Sequence, residues 1–392
     1  MISFENTEIA FKSKSTKDLK RAYWLFKMVS KKGMVKFGKW ATIIALKLRL
    51  PIDGIIKRTI FKQFCGGISI TDSSETSKEL AEFNIKTILD YSIEGKTNEE
   101  DFDATVNEII KTIRKAKESS STPFAVFKIS GICDFDMLEK ANQGIDKLTE
   151  GYTENYTKLI QRVDTICASA DEANVPIFID AEETWIQDAI DRIAEQMSAK
   201  YNQKAAIVFN TLQLYRYDRL IFFKNELEKA KRDGYKLGMK LVRGAYMEKE
   251  RARAKANGYK SPIQASKEAT DNDFNAGLRF AIENIDTVSL CAGTHNEESA
   301  IILTALLTEF NIKSDDNRVY FAQLLGMSDH ISYNLAHRNY NVAKYVPYGP
   351  IKEVLPYLIR RAEENTSVAG QTSRELSLII KEQKRRKLES RR

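Results

Sequence analysis

Eight short apolar runs dominate the chain from residue 86 onward, each followed by a polar or glycine-containing turn and then by residues of helical periodicity. They are KTILDYSI from Lys86, PFAVFKIS from Pro123, VPIFIDAE from Val175, AAIVFNTLQLY from Ala205, KLGMKLVRGAY from Lys236, TVSLCAGTHN from Thr287, RVYFAQLLG from Arg318 and NVAKYVPYG from Asn341. Strands buried on both faces read as unbroken apolar runs, and strands alternating with helices at this spacing build parallel sheets. Glu99–Ser119, Trp185–Lys200, Tyr217–Arg232, Asp271–Asn284 and Glu297–Phe310 read as the intervening helices. Eight such units between residues 86 and 365 suit a closed (β/α)8 barrel, whose usual size is about 250 residues. An open doubly wound sheet is the alternative. It is disfavoured because no G-x-G-x-x-G follows any run, which also argues against a dinucleotide held in that manner.

In a barrel of this kind the chemistry sits where strands end. Polar side chains collect at those points: Glu94 in the first unit, Lys128 in the second, and Asp180, Glu182 and Glu183 in the third. Gln213 and Tyr215 follow in the fourth unit, Lys240, Arg243 and Tyr246 in the fifth, and Thr294, His295 and Asn296 in the sixth. Gln323 and Tyr345 complete the set. Buried polar side chains need partners, so packing alone does not explain polar groups at nearly every strand end. After the eighth run, YLIRRAEEN places Arg360 and Arg361 side by side on a helix with an apolar stripe of Leu355, Leu358, Ile359 and Ala362. Guanidinium groups take carboxylates in paired hydrogen bonds, so this helix reads as the lid of a carboxylate-binding site. A solvated charged helix face is the plainer reading.

The net charge of +7 is carried by two segments. Residues 11–62 hold 15 Lys and Arg against 2 Asp and Glu, and residues 371–392 hold 8 against 3; with 61 and 54 in the whole chain, the remainder is acidic. The N-terminal arm mixes its lysines with Trp24, Phe26, Phe37 and Trp40. It either lies on an anionic membrane surface or packs on the barrel, and Lys47, Arg49, Pro51 and Asp53 cut its apolar run too short to cross a bilayer. Cys65, Cys133, Cys167 and Cys291 stand singly, which suits a reducing compartment and suggests neither a disulfide framework nor a metal site. His330 and His337, seven apart, have ordinary surface spacing, and the run KEQKRRKLESRR reads as a solvated, frayed helix end. The expected organisation is a basic, mainly helical arm over 1–85, a catalytic barrel over 86–370 and a basic tail over 371–392.

KLVRGAYMEKER from Lys240 and YLIRRAEEN from Tyr357 resemble the proline dehydrogenase family, together with FIDAEE from Phe178, GTHN from Gly293, FAQLLGM from Phe321 and the Tyr345 strand. A similar module occurs in bacterial bifunctional proline-utilisation flavoproteins. The resemblance implies a distorted (β/α)8 TIM barrel with a helical N-terminal arm and a lid-forming last helix. It also implies non-covalent FAD and oxidation of L-proline to Δ1-pyrroline-5-carboxylate, with electrons passed to a membrane quinone. Arg360, Arg361 and Lys128 would hold the substrate carboxylate, while Ala245, Tyr246, Leu324 and Tyr345 would wall its ring. Asp180 and Lys240 match catalytic positions. Ala181, Gln213, Arg243, Gly244, Ala245, Lys267, Thr294, His295 and Glu364 match flavin-binding positions, and Glu94 matches an acidic partner of Arg360 that closes the lid. Lys240 and Met247 depart from the Arg and Trp frequent in bacterial members.

The alternatives are a hydroxyproline dehydrogenase of the same family and a catalytically inert barrel whose basic ends bind membrane or nucleic acid. On the favoured reading the chain binds no nucleic acid, cooperates with a separate pyrroline-5-carboxylate dehydrogenase because this length leaves no room for a fused one, and is cytoplasmic or peripheral on the cytoplasmic face of the inner membrane.

Overall fold

Residues 2–48, 53–91, 97–367 and 371–390 are described by a computed structural model. Eight parallel strands close into one barrel in sequence order: β1 Ile85–Tyr91, β2 Phe124–Phe127, β3 Ile177–Ile179, β4 Val208–Gln213, β5 Leu237–Val242, β6 Val288–Gly293, β7 Val319–Leu324 and β8 Val342–Tyr348. Seven fall inside their apolar runs, and β1 begins one residue before its run, at Ile85. The barrel closes where Ile88 of β1 pairs with Tyr345 of β8 on one side and with Phe124 of β2 on the other.

Six helical segments precede the barrel: α1 Thr7–Ala10, α2 Thr16–Val29, α3 Lys32–Lys47, α4 Asp53–Ile56, α5 Lys62–Phe64 and α6 Ile70–Ala81, with a π-helical turn at Lys57–Phe61 before α5. Along the barrel come α7 Glu99–Lys117, α8 Phe135–Asn142, α9 Glu150–Ala173, α10 Thr184–Tyr201, α11 Arg219–Asp233, α12 Met247–Asn257, α13 Lys267–Glu283, α14 Glu297–Glu309 and α15 Asp329–His337. The arginine-bearing helix is α16 Ile351–Ser367, and α17 Gln371–Glu389 follows it. The lid helix is therefore the last of the barrel but not of the chain. Between β2 and β3 the connection holds two helices, α8 and α9, and α12 is an extra helix after β5.

Local sequence explains the helix boundaries. Asn98 caps α7 by accepting from the Asp101 amide at 2.8 Å, its first turn holds Glu99, Glu100 and Asp101, and its last holds Arg114, Lys115 and Lys117, a charge order that complements the helix dipole. Ser266 and Asn296 cap α13 and α14 in the same way, while Asn174 and Gly234 end α9 and α11 in left-handed conformations.

Ile88, Phe124, Val126, Phe178, Phe209, Cys291, Tyr320, Ala322, Ala343 and Tyr345 fill the barrel lumen. Phe124 and Phe178 stack there with ring centres 4.4 Å apart. The opposite faces of the strands pack on the helices, so each strand is apolar on both sides and unbroken in sequence. Leu19, Leu25 and Phe26 of α2 pack with Val354 and Leu358 of α16 and Leu378 and Ile379 of α17.

Two readings of the sequence are corrected here. His330 is not a surface residue: it is 2% exposed, because Glu297 and Glu375 converge on it from α14 and α17. The basic C-terminal run is not frayed over its described residues, which continue α17 to Glu389. Glu382 is fully buried and takes Arg385 and Arg386, and Arg386 donates to the carbonyls of Phe11 and Lys14. The arm packs on the body through one face of α2, yet leaves Trp24, Phe37 and Trp40 59%, 67% and 60% exposed. Among the described residues no helix is long and apolar enough to cross a membrane.

Candidate active site

Lys128 and Asp180 are the residues that follow β2 and β3, Lys240 lies in β5 and Tyr345 in β8. Inward-facing positions of neighbouring strands stand side by side, so residues distant in sequence converge at the barrel mouth. The Asp180 amide is fixed by the Phe127 carbonyl at 2.9 Å. Its carboxylate takes the Lys128 ammonium at 2.8 Å on one oxygen and the Lys240 ammonium on the other. Lys240 also lies 2.6 Å from the Tyr345 hydroxyl and over the faces of Phe178 and Tyr345, 5.1 and 4.8 Å from their centres. Burial opposes ionisation of Asp180, but the two ammonium groups outweigh it and hold the carboxyl at about 2. Burial likewise opposes the charge on Lys128, and Asp180 and Asp90 override it. The result is a fixed cation–anion–cation row beneath a tyrosine whose own proton is held firmly by burial.

After β8 comes α16 with its two arginines. Arg361 is 8% exposed, with its guanidinium 5.2 Å from the Tyr357 ring centre, and Arg360 is half-buried. Arg361 lies close enough to His295 to oppose its protonation, and Arg360 close enough to Tyr246 to favour its ionisation. The adjacent arginines are thus within electrostatic reach of His295 after β6 and Tyr246 after β5. Neither is a surface charge turned to bulk water. On the opposite side of α16 a groove of about 220 Å³ is lined by Met28, Met34, Ile56, Ile60, Leu355 and Ile359 among others. Apart from Lys39 it contains no group suited to acid, base or anion chemistry, so it is separate from the polar centre.

A second polar cluster joins β5, β6 and α13. Arg243 donates to Asp271 at 2.6 Å, to the Thr294 hydroxyl at 2.7 Å and to the Ser299 hydroxyl at 2.9 Å. Lys267 pairs with the same Asp271 at 2.5 Å. Two cations therefore share one carboxylate, leaving a surplus positive charge beside the exposed backbone of Gly244 and Ala245. Gly244 adopts φ +135, and a side chain there would run into the Tyr215 ring, which explains the glycine at this turn. Gln213 braces the turn by accepting from the Ala245 amide at 3.0 Å while donating to the Glu182 carbonyl at 2.7 Å. His295 bonds through Nδ1 to the Ser328 hydroxyl at 2.9 Å. Burial, then Lys344 and Arg361, push its imidazole down to about 3, so it is neutral at physiological pH.

The structure brings Lys128, Asp180, Ala181, Lys240, Tyr246, Leu324, Tyr345, Arg360 and Arg361 to one end of the barrel, and Gln213, Arg243, Gly244, Ala245, Lys267, Thr294 and His295 to its β4 to β6 side. Glu94 lies outside the described residues, as does the side chain of Glu364. Sequence reasoning missed Asp271, Ser299 and Ser328. Asp271 had a usable signal, since it stands one helical turn after Lys267, where an ion pair forms readily. Ser328 had none, because its role rests on a left-handed backbone, φ 51, in the loop after β7.

A family model described as proline dehydrogenase matches residues 73–374. The chain is 32% identical over 384 residues to proline dehydrogenase 1, mitochondrial, of Dictyostelium discoideum, an alignment covering 87% of this chain and 67% of that protein. It is also 32% identical over 323 residues to the carbapenem antibiotics biosynthesis protein CarD of Pectobacterium carotovorum subsp. carotovorum, covering 82% and 83%. Among solved structures it superposes on proline utilization A from Bdellovibrio bacteriovorus inactivated by N-propargylglycine, with a TM-score of 0.71 and 17% identity. That superposition covers 92% of this chain and 38% of the other, which is a likeness of fold.

Proposed function

From the premise that this chain belongs to the proline dehydrogenase family, we propose that it oxidises L-proline to Δ1-pyrroline-5-carboxylate with a non-covalently held FAD. The observation that supports the reading is the buried Lys128–Asp180–Lys240 row at the barrel mouth, with Arg360 and Arg361 within electrostatic reach of Tyr246 and His295 at the same end. The residues also suit the cofactor. Arg243 and Lys267, sharing Asp271, keep positive charge to spare for a diphosphate, and Gly244 and Ala245 leave the backbone open to close approach.

FAD supplies a hydride acceptor for the substrate C5. What the chain contributes is position and charge. Arg360 and Arg361 take the substrate carboxylate, with Lys128 as a further cation, and fix the ring against the wall formed by Ala245, Tyr246, Leu324 and Tyr345. Those same cations favour the neutral amine, whose lone pair must be free for the carbon–nitrogen double bond to form as C5 gives up its hydride. Asp180 holds Lys240 in place beside Tyr345, on a wall of the site that would line a bound flavin. Tyr345 is held at both its hydroxyl and its ring, which leaves little room for a ring hydroxyl and favours proline over 4-hydroxyproline.

The electrons pass on to a membrane quinone, and the product to a pyrroline-5-carboxylate dehydrogenase. Support for a membrane acceptor is the arm, whose exposed Trp24, Phe37 and Trp40 stand among lysines, a surface suited to peripheral docking on an anionic bilayer. The Dictyostelium relative is mitochondrial by name. A visible spectrum tests the central reading: the purified protein should be yellow and should bleach on addition of proline. A protein that cannot be reconstituted with FAD, or whose flavin stays oxidised with excess proline, overturns it.

A further inference from the structure

Helix α17 lies almost wholly beyond the family-matched residues, yet it sends a carboxylate into the base of the barrel mouth. Glu375 is 3% exposed, and one of its oxygens accepts the backbone N–H of Ser328. Ser328 is fully buried and left-handed, with φ 51 and ψ 41. A non-glycine residue in that conformation is strained and persists where its surroundings over-determine it. Three sets of contacts do so here. Its amide is taken by Glu375, its carbonyl receives the amides of Ile331 and Ser332 at 3.0 and 3.1 Å, and its hydroxyl lies 2.9 Å from Nδ1 of His295.

Burying a carboxylate is expensive, and anchoring a helix requires only apolar contacts such as those Leu378 and Ile379 already make. The nearest cationic candidate, Nδ1 of His330, is 3.9 Å away, too far for a hydrogen bond, while His330 itself bonds to Glu297 at 3.1 Å through Nε2. Among the described residues the Ser328 amide is therefore the close polar contact Glu375 makes. Its effect is directional: the carboxylate fixes the turn, the turn aims the serine hydroxyl, and the hydroxyl fixes the plane of the His295 ring. Among the described residues Nε2 carries no hydrogen bond, so it is the ring nitrogen that could face a ligand.

We propose that Glu375 is a positioning residue for the flavin site, acting through Ser328 to hold His295 in the orientation that contacts the cofactor. The proposal rests on the reading of His295 as a flavin-binding residue. It assigns to the C-terminal helix a part in cofactor binding that the barrel alone does not supply.

The test titrates FAD into deflavinated enzyme and follows affinity and the visible spectrum of the bound flavin. Glu375→Ala should weaken FAD binding by roughly tenfold, equivalent to about 1.4 kcal/mol, and shift the flavin bands as His295→Ala does. Glu375→Gln, which keeps an acceptor oxygen for the Ser328 amide, should stay within about twofold of wild type on the same scale. In a His295→Ala background the Glu375→Ala change should add little, because the two act in series. Should Glu375→Ala fail to fold, Ser328→Ala breaks the same relay at its hydroxyl and should reproduce the weakening. Wild-type FAD affinity and spectrum in Glu375→Ala or in Ser328→Ala, with His295→Ala impaired, overturn the proposal alone. Wild-type FAD binding in His295→Ala overturns the cofactor reading on which it rests.

Discussion

Lys240 donates to the hydroxyl of Tyr345 at 2.6 Å while its ammonium rests 4.8 Å from the centre of the same ring, so β5 and β8, three strands apart in the barrel, are tied through the lumen. Asp180 holds this tie in place, since its carboxylate binds Lys240 and Lys128 together.

Removing Asp180 leaves two largely buried ammonium groups with no carboxylate between them. Asp180→Ala should lose about 3 kcal/mol of stability, the usual scale for stripping one partner from a buried ion cluster. It should also lower turnover by roughly 10²-fold through misplacement of Lys240 and Tyr345. Denaturant unfolding and steady-state kinetics read the two effects separately, and a variant as stable as wild type contradicts the electrostatic account of the row.

The two arginines of α16 should separate by burial. Replacing either by Met should raise KM for proline by on the order of 10²-fold, the equivalent of about 2–3 kcal/mol for a charged hydrogen-bond pair. Arg361, packed on Tyr357 and 8% exposed, should also cost thermal stability when replaced, whereas half-buried Arg360 should not. Near-wild-type kinetics in both variants remove the carboxylate clamp.

His295 carries a pH signature. Its folded value of about 3 lies below the ordinary 6.5, so the unfolded chain binds a proton that the folded chain refuses throughout that interval. Stability from this group is complete above about pH 6.5 and falls as pH drops toward 3, with a limiting slope of about 1.4 kcal/mol per pH unit. Partial exposure of the ring lowers the measured slope. His295→Gln should flatten the acid limb of the stability curve, and an unchanged limb rules out a strongly depressed histidine here.

Peripheral docking is best tested without cutting the arm away, because Leu19, Leu25 and Phe26 are part of the core over α16. Phe37→Glu with Trp40→Glu alters exposed rings alone. The pair should abolish co-sedimentation with anionic vesicles and leave proline oxidation with a soluble acceptor intact. Equal vesicle binding by variant and wild type sinks the membrane role.

The strands were legible because residues enclosed on both faces leave an apolar record that needs no partner to interpret. The Lys128–Asp180–Lys240 row was legible as three strand-end residues, but its pairing was not, since which neighbours meet depends on the stagger of the closed sheet. His330 shows the limit most clearly. Its spacing from His337 says surface, yet its environment is made by Glu297 and Glu375, residues brought to it by two other helices. Glu382 is a similar case, a carboxylate in a basic run that reads as solvated until the carbonyls of Phe11 and Lys14 are placed beside Arg386.

The contacts between residues 5–14 and 374–386 give the polypeptide a second closure besides the β1–β8 seam. Glu5 receives Arg374 and Lys381, and Arg386 grips the backbone of the segment between α1 and α2. Segments that elsewhere peel away first are buckled to one another across the molecule. Detaching either one releases both, and with them the support behind the arginine helix. Limited digestion should therefore spare this buckle until the whole molecule gives way, so that intact and fully degraded chains, without trimmed survivors, are the products to look for.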